Sequence, residues 1–307
     1  MVLLRHYHDG TKQENVTVTE QARLAQQFEE NRSRLRGVAY RMLGSLNEAD
    51  DAVQEAWLRL SRMDQSAIEN LDGWLTTVVA RICLDMLRSR SSRREEPLET
   101  GSSEPAASRM KPANPEQEAQ LAESVGIALL VVLEKLDPAE RLAFVLHDMF
   151  AVPFDEIASI VGRSEAAVRQ LASRARRRVQ GPAISASELA GQRRVVDAFI
   201  AALRAGDFEG LLAVLDPDVV ARAESAEGVR EIRGARAWAQ GAIAFSQQIR
   251  LAQAHAALVD GSVGIVLAPR GRLLRVLRFK FKDEKIVEAE VIVNPEHLRQ
   301  LDIAVLK

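Results

Sequence analysis

The stretch from Ser91 to Pro115 most constrains how this chain can fold. It holds Ser91, Ser92, Pro97, Gly101, Ser102, Ser103, Pro105, Pro112 and Pro115 and few apolar residues. Prolines and glycines at that density end helices and interrupt ladders, so no single core runs across it. The chain must build separate units on either side, with this stretch as a flexible linker. A length of 307 residues suits two or three such units.

Both flanks read as helical. Thr17 and Glu20 have capping-box spacing ahead of a periodic run that continues towards Arg90. A second helix is predicted from about Asn47 to Leu60. A third is predicted from about Asp72 to Arg90, with Leu75, Val78, Val79, Ile82, Met86 and Leu87 at helical spacing. Beyond the linker, Asp137-Pro138-Ala139-Glu140 supplies a capping acid, a proline at the first helical position and a first-turn acid. Leu189 to Ala205 reads as an amphipathic helix. Ser262–Leu267, Leu273–Lys282 and Lys285–Val293 read as strands, with turns at Gly261 and at Asp283-Glu284.

Phe154 to Val161, the break at Gly162-Arg163-Ser164, and Glu165 to Val179 form a helix–turn–helix pattern. With Val168, Leu171, Ala172 and Ala175 turned inward, the outer face carries Glu165, Arg169, Gln170, Ser173, Arg174, Arg176 and Arg177, behind a Ser164 cap. Arginine and glutamine read guanine and adenine edges in a major groove, and further arginines neutralise phosphates. The plainer alternative is a solvated basic helix. The helix from Asn47 to Leu60 has the opposite sign. Ala49, Ala52, Val53, Ala56 and Leu60 share one side, while Asp50, Asp51, Gln54, Glu55, Trp57 and Leu58 lie on the others. Such a face suits a basic protein surface, although acids near a helix start are also stabilising through the helix dipole. This segregation makes the net charge of −2 a poor guide to partners.

Cys83, the single cysteine, lies in an apolar helical run, which fits a reducing compartment. No apolar stretch is long enough to span a bilayer, so a cytoplasmic, non-membrane protein is expected. Residues 1–20 are read as a disordered lead-in.

The strings Tyr40-Arg41-Met42-Leu43-Gly44-Ser45 and Asn47-Glu48-Ala49-Asp50-Asp51-Ala52-Val53-Gln54-Glu55-Ala56-Trp57-Leu58-Arg59 resemble region 2 of extracytoplasmic-function sigma-70 factors of bacterial RNA polymerase. The resemblance implies that Asp50, Asp51, Gln54, Glu55 and Trp57 dock on the clamp helices of the core polymerase β′ subunit. Gly73-Trp74-Leu75 through Arg88 is similar to the helix that meets the −10 element, which implies DNA contacts by Thr76, Thr77, Arg81 and Arg88. Positive charge there would come from Arg81, Arg88, Arg90, Arg93 and Arg94, with Met63, Asp64 and Asn70 as candidates in a base-holding loop. Leu136 through Arg178 resembles region 4, which reads the −35 element and contacts the β flap. That implies a role for Ser164, Glu165, Arg169, Gln170, Ser173, Arg174, Arg176 and Arg177.

Val195 through Val219 resembles the opening of a SnoaL-like, NTF2-type cone. SigJ-like sigma factors carry such an extension with an Asn-Pro-Asp-Lys-Leu motif, matched here by Asn294-Pro295-Glu296-His297-Leu298 with two replacements. A glycine-rich motif found ahead of the extension in some relatives is missing between Gly181 and Gly191. Candidate polar groups for a pocket are Asp218, Trp238, His255 and Arg278.

The expected fold is therefore multidomain: two all-α sigma domains and a C-terminal α+β cone. The expected limits are 1–20 lead-in, 21–92 region 2, 93–116 linker, 117–181 region 4 and 182–307 cone. The expected function is promoter recognition and melting with core RNA polymerase, the cone modulating it in cis. No catalytic residue, metal or cofactor is expected, and an unidentified small ligand in the cone is kept open as a partner. Two alternatives stay open on the sequence, a ligand-sensing helix–turn–helix regulator and a SnoaL-like cyclase or isomerase with helical appendages.

Overall fold

The computed structural model describes residues 9–63, 68–95, 126–225, 228–246, 254–269 and 272–306. The chain separates into two compact units, Met1–Ser102 and Ser103–Lys307. Most of the expected linker 93–116, together with Asp64, Arg93 and Arg94 as side chains, lies outside what is described.

The described residues of the first unit form a bundle of three helices, α1 (Asp9–Leu43), α2 (Leu46–Leu60) and α3 (Leu71–Glu95). α1 corrects the expected lead-in, because residues 9–20 are helical and the Thr17–Glu20 pair falls inside the helix. No proline or glycine interrupts the chain between Thr11 and Arg36, so nothing stops the helix at that pair. Phe28, Leu35, Tyr40, Met42, Leu60, Leu75 and Leu84 form the fully buried centre. Cys83 lies in the same core, and burial pushes its thiol up to about 12, so it serves packing and not chemistry.

In the second unit, α4 (Ile127–Lys135) and α5 (Pro138–Phe144) precede a single π turn, Val145–Met149. α6 (Phe154–Val161) and α7 (Glu165–Gln180) follow. Asp137 occupies the N-cap position of α5, but its side chain makes no capping hydrogen bond, contrary to expectation. The turn between α6 and α7 behaves as predicted. Gly162 adopts φ +70° and donates to the Ala158 carbonyl, and the Ser164 hydroxyl accepts from the Ala167 amide at 3.3 Å.

The rest of this unit is α8 (Ala186–Ala205), α9 (Phe208–Val214), β1 (Leu215–Ser225), β2 (Gly228–Arg233), α10 (Ala235–Ser246), β3 (Ala254–Val259), β4 (Ser262–Leu267), β5 (Arg275–Lys282), β6 (Lys285–Ile292), α11 (Pro295–Gln300) and β7 (Ile303–Ala304). The strands form one mixed sheet in the order β2-β1-β6-β5-β4-β3-β7, with β1 and β6 parallel and the other pairs antiparallel. Asp260-Gly261 and Asp283-Glu284 both have positive φ, the two-residue hairpin turn that a right-handed sheet twist favours. In the core Phe199 stacks on Trp238 at a centroid distance of 5.4 Å and meets Phe279 edge-on at 5.5 Å. Helices packed on one mixed sheet make the α+β cone that was expected.

Candidate polymerase and nucleic-acid interfaces

On α2 the apolar stripe is complete: Leu46, Ala49, Ala52, Val53, Ala56 and Leu60 are buried. That orientation presents Asp50, Asp51, Gln54 and Leu58 to solvent, Leu58 with 37% of its surface exposed, and leaves Glu55 half-buried. The acids differ in their partners. Asp50 is clamped by Arg36 of α1, with N···O distances of 2.6 and 2.8 Å. Among the described residues Glu55 pairs only with Arg59, one turn on, at 2.9 Å. No cation among the described residues pairs with Asp51. Trp57 corrects the expectation of a projecting aromatic: it is half-buried and packs on Phe28 of α1, ring centroids 5.0 Å apart.

The face proposed for the −10 strand divides more sharply. Thr76 is only 4% exposed; its hydroxyl donates to the Asp72 carbonyl at 2.7 Å and accepts from Arg34 Nη1 at 2.9 Å. It pins α3 to α1 and cannot reach a nucleic acid, a correction that helical periodicity conceals because threonine suits either face. Thr77 is half-buried, whereas Arg81 and Arg88 are exposed. Arg88 pairs loosely with Asp85 at 3.9 Å. Arg90 is also withdrawn from the expected set: it pairs with Glu48 of α2 and donates to the Leu43 carbonyl at 3.2 Å. In the loop, Met63 is exposed, and Asn70 caps α3 by accepting from the Gly73 amide at 3.1 Å. Thr76→Val should cost about 1–2 kcal/mol of bundle stability by leaving Arg34 without its hydroxyl acceptor, while Thr77→Val should cost almost none. Urea melts of the two variants check this, and equal midpoints would contradict the placement.

On α7, Val168, Leu171, Ala172 and Ala175 are buried as predicted. Glu165, Arg169, Gln170, Ser173, Arg174 and Arg177 are exposed, and Arg176 is half-buried. The surrounding acids preset several of these arginines. Arg169 pairs with Glu165 and lies over the Phe154 ring, 5.0 Å from its centroid. Arg176 pairs with Asp148 of the π turn at 2.5 Å. Glu140 of α5, only 3% exposed, holds both Arg174 at 3.4 Å and Arg178 at 3.0 Å. A buried carboxylate needs such compensation, so Arg178 and the far side of Arg174 serve the fold. Arg177 has no carboxylate partner among the described residues and remains an open charge.

The motif near the chain end is held from two sides. Asn294 caps α11 by accepting from the Glu296 amide at 2.8 Å, Pro295 takes the first helical position, and Leu298 is buried. Glu296 is exposed. Glu224 of β1 accepts from the Val293 and Asn294 amides at 3.1 and 3.0 Å and bonds His297 Nδ1. Burial alone would raise the Glu224 pKa, but these amide bonds and His297 outweigh it and hold the carboxyl below its ordinary value. From the helical side, Lys135 at the end of α4 donates to the Leu298, Arg299 and Leu301 carbonyls. The Val305 amide donates to the Val179 carbonyl at 2.9 Å. Gly181 (φ +66°) lies so close to the end of the chain that a Cβ there would stand 2.5 Å from that of Ala304. The helix–turn–helix and the cone are therefore joined through Lys135, Gly181 and residues 298–305, a contact that no local pattern announced.

Of the four polar candidates for a pocket, only Trp238 lines the cavity in the cone. Arg278 instead crosses the sheet to Asp260 (2.8 Å) and Glu290 (2.5 Å). Asp218 is exposed beside the turn at Asp216, and His255 lies on β3 away from the lining. The cavity's charged groups, Glu224, Arg230 and Arg275, escape a reading of the sequence because β1, β2 and β5 converge only in the folded sheet. No helix among the described residues is long and apolar enough to cross a membrane.

Comparison with known families matches residues 27–93 to sigma-70 region 2 and residues 127–179 to sigma-70 region 4. The ECF RNA polymerase sigma factor SigJ of Mycobacterium tuberculosis (strain ATCC 25618 / H37Rv) is 38% identical over 286 residues, covering 88% of this chain and 91% of that protein. The probable ECF RNA polymerase sigma factor SigI of the same strain is 36% identical over 279 residues, covering 88% and 93%. The crystal structure of the Mycobacterium tuberculosis factor SigJ aligns with 33% identity and a TM-score of 0.44, over 89% of this chain and 97% of that one.

Proposed function

Because this chain belongs to the extracytoplasmic-function sigma-70 family of RNA polymerase sigma factors, we propose a division of labour among its helical faces and its cone. A sigma factor binds core RNA polymerase and promoter DNA, and RNA synthesis itself belongs to the polymerase. In the proposed scheme the outer face of α2, the exposed Asp51, Gln54 and Leu58 and the half-buried Glu55, with Asp50 at its edge, docks on the β′ clamp helices. The outer side of α3, the exposed Arg81 and Arg88 with the half-buried Thr77, follows the −10 strand, where cationic backbone contacts accompany unstacked bases. Glu165, Arg169, Gln170, Ser173, Arg174 and Arg177 of α7, with Ser164 at its start and Arg176 beside it, read the −35 element, and the same domain meets the β flap. The domain limits 21–92, 117–181 and 182–307 belong to the same reading, as does work in the cytoplasm, where the polymerase is.

The observation carrying this reading is that an acidic face on α2 and a basic face on α7 each cover a completely buried apolar stripe. Each charged set is thus fixed outward by packing and is available to a partner. The cone is proposed to modulate promoter use in cis. Support comes from Lys135 and the Val179–Val305 bond, which tie it to the domain bearing α7.

Reconstituted transcription tests the proposal. Core polymerase with the full chain should gain start-site selectivity that core alone lacks. A chain cut from about Leu189 should change transcript yield from the same promoter by several-fold. Absent selectivity would overturn the division of labour, and an unaltered yield after truncation would remove the regulatory role of the cone.

A further inference from the structure

The cone encloses a cavity of about 500 Å3, lined largely by apolar side chains including Phe199, Leu203, Trp238, Phe245 and Ile265. Its volume lies within the range of about 300–1,000 Å3 that holds small organic ligands. The chemistry of its charged groups narrows the class.

Glu224 reaches the lining but is already engaged, by the Val293 and Asn294 amides on one oxygen and by His297 on the other. It offers little to a ligand cation. Arg275, at the start of β5, is the opposite case. It is half-buried, and no carboxylate among the described residues pairs with it. Its guanidinium lies over the Phe245 ring, 4.1 Å from the centroid, which sets the plane of its donors. Burial lowers its pKa, yet a guanidinium remains cationic at any physiological pH. Arg230 of β2, exposed on the same lining, adds a second positive charge. A partly desolvated cation facing an apolar space lacks a counter-charge, and a carboxylate fits the arginine fork with two parallel hydrogen bonds.

We propose that this cavity binds a small organic carboxylate, its head group held by Arg275 and its apolar body packed against Phe199, Leu203 and Trp238. The inference deepens the reading of the cone as a regulatory module. The site is measured on the free full-length chain, without polymerase or DNA, so its failure is separable from failure of the transcription reading.

The experiment is calorimetric titration with 2-naphthoate and with its uncharged analogue 2-naphthamide. The wild-type chain should bind the carboxylate at least tenfold more tightly than the amide. Arg275→Gln should reduce naphthoate affinity to the level of the amide and leave amide binding unchanged. Ala242→Phe, which places bulk in the cavity wall, should weaken both, with circular dichroism confirming that each variant is folded. Equal affinity of the wild type for the two probes would overturn the anion assignment. Binding of neither up to millimolar concentration would overturn the site altogether. Both of these outcomes are read on the unmutated protein, so a misfolded variant cannot shield the proposal.

Discussion

Asp51→Arg combined with Glu55→Arg is expected to weaken binding to core RNA polymerase about a hundredfold, with the thermal midpoint of the helical bundle nearly unchanged. Among the described residues the exposed Asp51 has no cationic partner, and Glu55 bonds only Arg59 on its own helix. A pair of that kind is worth a few tenths of a kcal/mol, and exposed substitutions usually stay within about 0.5 kcal/mol. Across an interface the same reversal sets like charges against each other, at a cost of several kcal/mol, and about 2.7 kcal/mol already corresponds to a hundredfold in affinity. Asp50 would be a poorer probe because its bond to Arg36 mixes stability with docking. Quantitative pull-down with purified core decides the matter: a folded double variant that binds like the wild type would sink the docking assignment of α2.

Arg169→Ala with Arg174→Ala should lower transcription from promoters with a −35 element by tenfold or more, since a good base or phosphate contact is worth about 1–3 kcal/mol. Arg169 is bound to Glu165 in the free chain, but so exposed an ion pair costs little to exchange for DNA. Arg174 carries a second effect, because its loss leaves the buried Glu140 with Arg178 as its remaining partner. Arg178→Ala is the matching control. It removes the other partner of the same carboxylate and should destabilise the domain similarly while sparing most −35-dependent output. Promoters with and without the element, transcribed side by side, give the readout. If the double variant lowers both equally, α7 does not read that element.

Several parts of the site could be read from residues alone. The helix–turn–helix limits at Phe154–Val161 and Glu165, the Ser164 cap and the buried stripe of α7 all matched, because capping and 3.6-residue periodicity are local properties. The hairpin turns at Asp260-Gly261 and Asp283-Glu284 were legible for the same reason. The misreadings share a different cause. Thr76, Trp57 and Arg90 each lie on a helix side that looks solvent-facing until a neighbouring helix supplies Arg34, Phe28 or Glu48. Among the pocket candidates, Arg278 found acidic partners on neighbouring strands and His255 lay away from the lining. In the sequence Arg275 is just one more charge at the start of a strand.

The amino-acid order by itself determined a break between compact units inside residues 91–115, the sign of each helical face and the membership of the sigma-70 family. Those properties depend on residues within a few turns of one another and on motifs that survive as strings. Tertiary structure alone decided which charges are consumed internally, how Lys135 and the last residues join the helix–turn–helix to the cone, and where Arg275 meets an apolar cavity. Ion pairing and cavity formation depend on side chains far apart in the chain, and only packing brings them within a few ångströms.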